Sequence, residues 1–93
     1  GKLGDLVLDP KLLKEEFDKE GTASIYTIFA DKKLDISYQN NDLLDYENYS
    51  VQEVKINGEI VEFRNEDYLA IIDKEVIDDL SATETHQVEV VLG

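Results

Sequence analysis

Residues 51–63, VQEVKINGEIVEF, constrain the fold more than any other stretch of this chain. Asn57 and Gly58 sit between two β-rich flanks, and both tolerate the positive φ angles that a type I′ turn requires. The segment therefore predicts a tight hairpin. In its register Val54 faces Val61 and Gln52 faces Phe63 on one side. On the other side Lys55 faces Ile60, and Glu53 faces Glu62, a mildly unfavourable like-charge pair.

Other segments repeat the two-residue period. DLVL (5–8) reads as a short edge strand. SIYTIFA (24–30) is apolar on both faces, Ile25, Thr27 and Phe29 against Tyr26 and Ile28, which is the pattern of an internal strand. KKLDISYQ (32–39) alternates Leu34, Ile36 and Tyr38 with Lys33, Asp35 and Ser37. A turn at Asp31 and Lys32 joins these two runs as a second hairpin over 25–38. DYLAIID (67–73) reads as another strand, and HQVEVVL (86–92) closes the domain with Val88, Val90 and Leu92 inward.

Helix signals are fewer. In DPKLLKEEFDKEG, Asp9 suits an N-cap, Pro10 the first helical position and Gly21 the C-terminus. Leu12, Leu13 and Phe17 share one face, so a short amphipathic helix is expected there. DKEVIDDL (73–80) predicts a helical turn capped by Asp73, with Val76, Ile77 and Leu80 on one side and Asp78 and Asp79 in water.

Ninety-three residues make one domain, and a hydrophobic fraction of 42% suffices for one core. No repeat, linker or low-complexity tract divides it. No cysteine is present, which excludes disulfides, Cys-ligated zinc and a thiol nucleophile. No apolar run approaches the ~18 residues of a membrane span, and no signal peptide is visible, so membrane insertion is not expected. The opening GKLG, without an initiating Met, suggests an excised fragment. Nine basic residues against 22 acidic ones give a net charge of −13, which repels phosphate backbones and argues against nucleic-acid binding. Most of that charge serves solubility.

Elimination leaves little catalytic chemistry in these residues. The single histidine, His86, opens the last strand outside any motif and is expected at the surface. No P-loop, dinucleotide fingerprint or nucleophile–base pair is present, so the chain is expected not to be an enzyme and to need no cofactor. Paired carboxylates of a glycosidase are not singled out among so many acids. The segment YQNNDLLDYENY (38–49) holds what remains: three tyrosines, three asparagines and three acidic residues. Asp42, Asp45 and Glu47, with Asp31 or Asp35, offer oxygen ligands of the kind calcium takes, although neither the EF-hand spacing nor its glycine is present. Tyr46 and Tyr49 offer rings to stack on a sugar, with Asn40 and Asn41 as hydrogen-bonding groups. Against both stands packing: Tyr38 points inward with its strand, and Leu43 and Leu44 pin the segment as a crossover between sheets. Asn48-Tyr49-Ser50 matches the N-glycosylation triplet, a common chance pattern.

Taken in order, LDPKLLKEEFDKEG, ASIYTIF, VKINGEIVEF, NEDYLAIIDKEVIDDL and VEVVL resemble the immunoglobulin-like X modules of bacterial cellulosomal and other multidomain secreted proteins. The likeness rests on Phe17-Asp18-Lys19, on Asn57-Gly58, on Asp67-Tyr68 before a strand, and on the turn from Lys74 to Leu80. It implies no catalytic residues. The helical first segment and the long acidic middle depart from the family pattern.

The expectation is a mostly β domain: an Ig-like sandwich of six to seven strands with one or two short helices. The alternative fold is α+β and ubiquitin-like, with the first helix across a single sheet. The expected role is that of a noncatalytic spacer or adhesion module, at the surface of or secreted by a Gram-positive bacterium. Its partners would be neighbouring domains, with weak contact to calcium, a glycan or a protein. The alternative is a free-standing cytoplasmic acidic inhibitor or immunity-type protein that binds a basic partner or mimics nucleic acid.

Overall fold

A computed structural model describes residues 4–66 and 69–93. Half of them are in strands and 9% in helical turns, arranged as two sheets in a small β-sandwich. The strands are β1 (Leu6–Leu8), β2 (Thr22–Phe29), β3 (Lys32–Asn40), β4 (Val51–Ile56), β5 (Glu59–Val61), β6 (Arg64–Glu66), β7 (Leu69–Ile72) and β8 (Thr85–Leu92). One α-helical turn, α1 (Lys74–Asp78), precedes β8. The larger sheet runs β2-β3-β8-β4-β5, and the smaller runs β1-β7-β6. All pairings are antiparallel except β3 with β8.

The alternation of the sequence decides what lies between the sheets. Leu34, Ile36 and Tyr38 of β3, Val88, Val90 and Leu92 of β8, and Val54 and Ile56 of β4 are buried on one face of the larger sheet. Leu6 and Leu8 of β1 and Ala70 and Ile72 of β7 meet them from the smaller one, with Phe17, Tyr49 and Ile77 completing the same core. Fully burying one such aliphatic side chain contributes about 1.5–3 kcal/mol, so this seam dominates the stability.

The Asn-Gly hairpin forms as read, with φ of 52° at Asn57 and 85° at Gly58. Val54 pairs with Val61 and Lys55 with Ile60. The outer pairs do not form, because β5 ends at Val61 and β4 turns to β8 through an irregularity between Val51 and Glu53. The second hairpin turns at Ala30 and Asp31, both at positive φ, one residue earlier than expected. Lys32 thereby joins β3, and its ammonium reaches the carbonyls of Ile77, Asp78 and Leu80 at 3.3, 3.2 and 2.7 Å. A cation from β3 thus serves the carbonyls of Ile77 and Asp78 at the end of α1 and that of Leu80 just beyond it.

Three expectations need correction. The amphipathic helix after Asp9 shrinks to one 3₁₀ turn at Lys14–Glu16. The Tyr49 hydroxyl instead holds the carbonyls of Pro10 and Leu12 in a non-helical segment, and Phe17 is buried without a helix beneath it. Gly21 immediately precedes β2 at φ 80°, where a Cβ would stand 2.4 Å from the Asn40 carbonyl oxygen. Second, SIYTIFA lies at the edge of the larger sheet, with Ile25, Tyr26 and Ile28 more than half exposed. Apolarity on both faces had mimicked an internal strand. Third, Asp73 does not cap α1 with its side chain. Asp5 Oδ1 accepts the Lys74 N–H at 2.9 Å, while Asp73 and Asp5 share the Arg64 guanidinium. Asp67 and Tyr68 lie outside the described residues.

Candidate functional site

The segment between β3 and β4 was the sequence's candidate for binding, and the fold gives each of its residues a definite place. It does not cross between sheets. β3 and β4 belong to the same sheet with β8 between them, so residues 41–50 pass over the end of β8. Ser50 and Gly93 exchange backbone hydrogen bonds of 3.1 and 3.0 Å where they meet.

Asn40 is fully buried at the end of β3. Its Nδ2 donates to the Leu44 carbonyl at 2.7 Å, and its Oδ1 accepts the Leu44 N–H at 3.0 Å. Both ends of the amide hold the loop, so Asn40 belongs to the scaffold and not to a ligand surface. Leu44 is half-buried against the core, whereas Leu43 is exposed at φ 50°. Only one of the two leucines anchors the segment.

Tyr49 is also a structural residue. Its ring packs edge-on against Phe17, with centroids 6.3 Å apart. Its hydroxyl accepts the Leu12 N–H at 2.8 Å and directs its single proton between the carbonyls of Pro10 and Leu12 at 2.9 and 2.7 Å. Burial raises its pKa, partly opposed by the Leu12 hydrogen bond; the charges at Glu16, Tyr46 and Asp45 raise it further. Tyr38 is pushed up to about 12, chiefly by burial and then by the Asp9 carboxylate and Tyr49. Both phenols therefore stay protonated, and the Tyr49 hydroxyl acts as a hydrogen-bonding group.

Asp45 Oδ1 accepts the N–H of Lys14 at 3.0 Å and of Tyr46 at 3.1 Å, tying the loop to the 3₁₀ turn. Asp42 and Glu47 are exposed. Among the described residues no three His, Asp or Glu side chains are grouped to hold one metal ion, so Asp42, Asp45 and Glu47 are not a preformed calcium set. Asn41 is exposed, and its Oδ1 accepts from Gln39 Nε2 at 3.0 Å.

What the loop presents is Tyr46, 39% exposed, beside a groove of about 680 Å³. Asp9, Pro10 and Lys11 form its opposite wall, with Tyr46, Glu47 and Tyr49 on the loop side. The sequence carried no signal for the Asp9–Lys11 wall; the Tyr49 hydroxyl brings it there across 39 positions of chain.

His86 is buried, not at the surface. Its Nδ1 lies 2.8 Å from Asn57 Nδ2, and its Nε2 lies 2.8 Å from the Ser81 carbonyl oxygen. Both ring nitrogens are thus occupied by structural partners.

Compared with known proteins, the chain matches no protein-family model and no curated protein.

Proposed function

We propose that this chain is a noncatalytic accessory module, a spacer or adhesion unit, within an extracellular or cell-surface multidomain bacterial protein. The observation that carries the reading is the path of the chain through the sandwich. It enters at β1, whose Leu6 pairs with Ile72 beside α1. It leaves at the end of β8, where Gly93 is bonded to Ser50 in the loop. These places are at opposite ends, because Lys32 at the start of β3 contacts α1 while Asn40 at its end holds the loop. β3 and β8 run parallel from Lys33 beside Thr85 to Asn40 beside Leu92, about 23 Å of strand. A domain entered at one end and left at the other extends a polypeptide and keeps its neighbours apart. The groove beside Tyr46 is its surface for weak contact with a glycan or a neighbouring domain.

The test is the size and location of the native polypeptide that carries this segment, by immunoblot and mass spectrometry of cells and medium. A much larger species at the surface or in the medium is expected. A free intracellular species of 10.6 kDa would overturn the reading.

A further inference from the structure

Edge strands expose unpaired N–H and C=O groups, and proteins guard them with charges, proline, bulges or short length. Among the described residues, three of the four sheet edges are three residues long: β1, β5 and β6. β2 is the exception. It has eight residues and a register to β3 without irregularity. Residues 21–30 hold no charge and no proline, in a chain that is 33% charged. Ile25, Tyr26 and Ile28 are 56%, 56% and 63% exposed.

The hydrogen bonds at its start show which backbone groups face outward. Gly21 O accepts the Asn40 N–H on the β3 side, whereas both polar backbone groups of Thr22 bond to Asp18, on the other side. By the alternation of an antiparallel ladder, Ser24, Tyr26 and Ile28 direct their N–H and C=O groups away from β3. No described strand pairs there.

We propose that this edge is a homodimer interface, in which two copies join β2 to β2 antiparallel about a two-fold axis at Tyr26. That register sets Tyr26 opposite Tyr26 and Ser24 opposite Ile28 of the second copy. It uses every open backbone group on both strands. Moving the axis by one residue either way leaves one of the three without a strand partner, because Thr22 is already taken and β2 ends at Phe29. The same register aligns Phe29 of the second copy with the small Ala23, beside a shallow groove of about 280 Å³ walled by Pro10, Leu12 and Ile25. Ile25 meets Thr27 across the pair, which covers its exposed face.

The ends also match. Asp18-Lys19-Glu20 before β2 carries one net negative charge, and Asp31-Lys32-Lys33 after it one net positive charge. Antiparallel self-pairing sets each beside the other; parallel pairing would set like beside like. The net charge of −13 on each copy opposes association at long range, so added salt should strengthen the dimer. A basic foreign strand on the same edge would show the reverse.

Sedimentation equilibrium from micromolar to about 1 mM, at low and high sodium chloride, tests this. A monomer–dimer equilibrium that tightens with salt is expected, with slower amide exchange at Ser24, Tyr26 and Ile28 as concentration rises. Tyr26→Lys, which sets two ammonium groups opposite each other at an exposed position, should raise the dissociation constant tenfold or more. Ile60→Lys on the β5 edge should leave it unchanged. A chain that stays monomeric throughout, a dimer that survives Tyr26→Lys, or one that Ile60→Lys disrupts equally would overturn the proposal. The concentration-dependent exchange decides the matter without any variant.

Discussion

Asn57 Nδ2 stands 2.8 Å from His86 Nδ1, and the opposite end of the same amide accepts the Gln87 N–H at 3.0 Å. The Gln87 contact orients the amide, so Nδ2 must donate to His86, and the ring must carry its proton on Nε2, facing Ser81 O. A turn residue thus couples the Asn-Gly hairpin to the last strand. We expect nitrogen NMR of the imidazole to report the Nε2–H tautomer. Asn57→Gly keeps the positive φ but removes both side-chain bonds, and denaturant unfolding should show a loss of about 1–2 kcal/mol. Asn57→Ala adds backbone strain and should lose more.

Lys32 holds the carbonyls of Ile77, Asp78 and Leu80 where α1 ends. Lys32→Met retains most of the aliphatic stem and removes only the donor, so its cost isolates the three carbonyl contacts. Chemical denaturation should give about 1 kcal/mol, with faster amide exchange concentrated in residues 74–80. A change below about 0.3 kcal/mol would mean that water serves those carbonyls equally well.

Tyr46 and Tyr49 should separate sharply in stability. Tyr49→Phe leaves the Leu12 N–H without its partner and should cost about 1–2 kcal/mol by thermal or denaturant unfolding. Tyr46→Ala should stay within about 0.5 kcal/mol of the parent, because that ring is exposed. If the two cost the same, the assignment of Tyr49 to the scaffold and Tyr46 to the surface fails.

Alkaline pH should unfold the domain through its buried phenols. Folded Tyr38 keeps its proton to about pH 12, whereas in the unfolded chain tyrosine releases it near 10. The contribution is complete below pH ~10 and is lost as pH rises towards ~12, with a limiting slope of about 1.4 kcal/mol per unit. Tyr49 is raised as well and acts in the same direction. Tyr38→Phe should flatten the decline of stability above pH ~10 without abolishing it, as measured by urea titrations at successive pH values.

Much of the fold was legible from local patterns. β3, β4, β8 and the Asn-Gly turn were readable because a period of two residues and a required positive φ are properties of a few adjacent side chains. The helical turn at Lys74–Asp78 was readable for the same reason, and only the source of its caps was misjudged. The candidate site was less legible. Nothing adjacent to Asn40 or Tyr49 shows that one clamps Leu44 and the other reaches Pro10 and Leu12. Buried and exposed tyrosines look alike in a sequence, and so do bonding and solvated asparagines.

By itself, then, the sequence determined the β class, the two hairpins and the inward faces of β3 and β8. These follow from covalent geometry and from alternation over a few residues. The tertiary structure alone decided that β2 is an edge, that residues 9–13 are not helical, and that His86 is buried. Each of those outcomes depends on a partner supplied from far along the chain. β2 is an edge because β8 takes the other side of β3. The helical signals after Asp9 yield because the Tyr49 hydroxyl holds Pro10 and Leu12. His86 can be buried because Asn57 and Ser81 occupy both of its nitrogens.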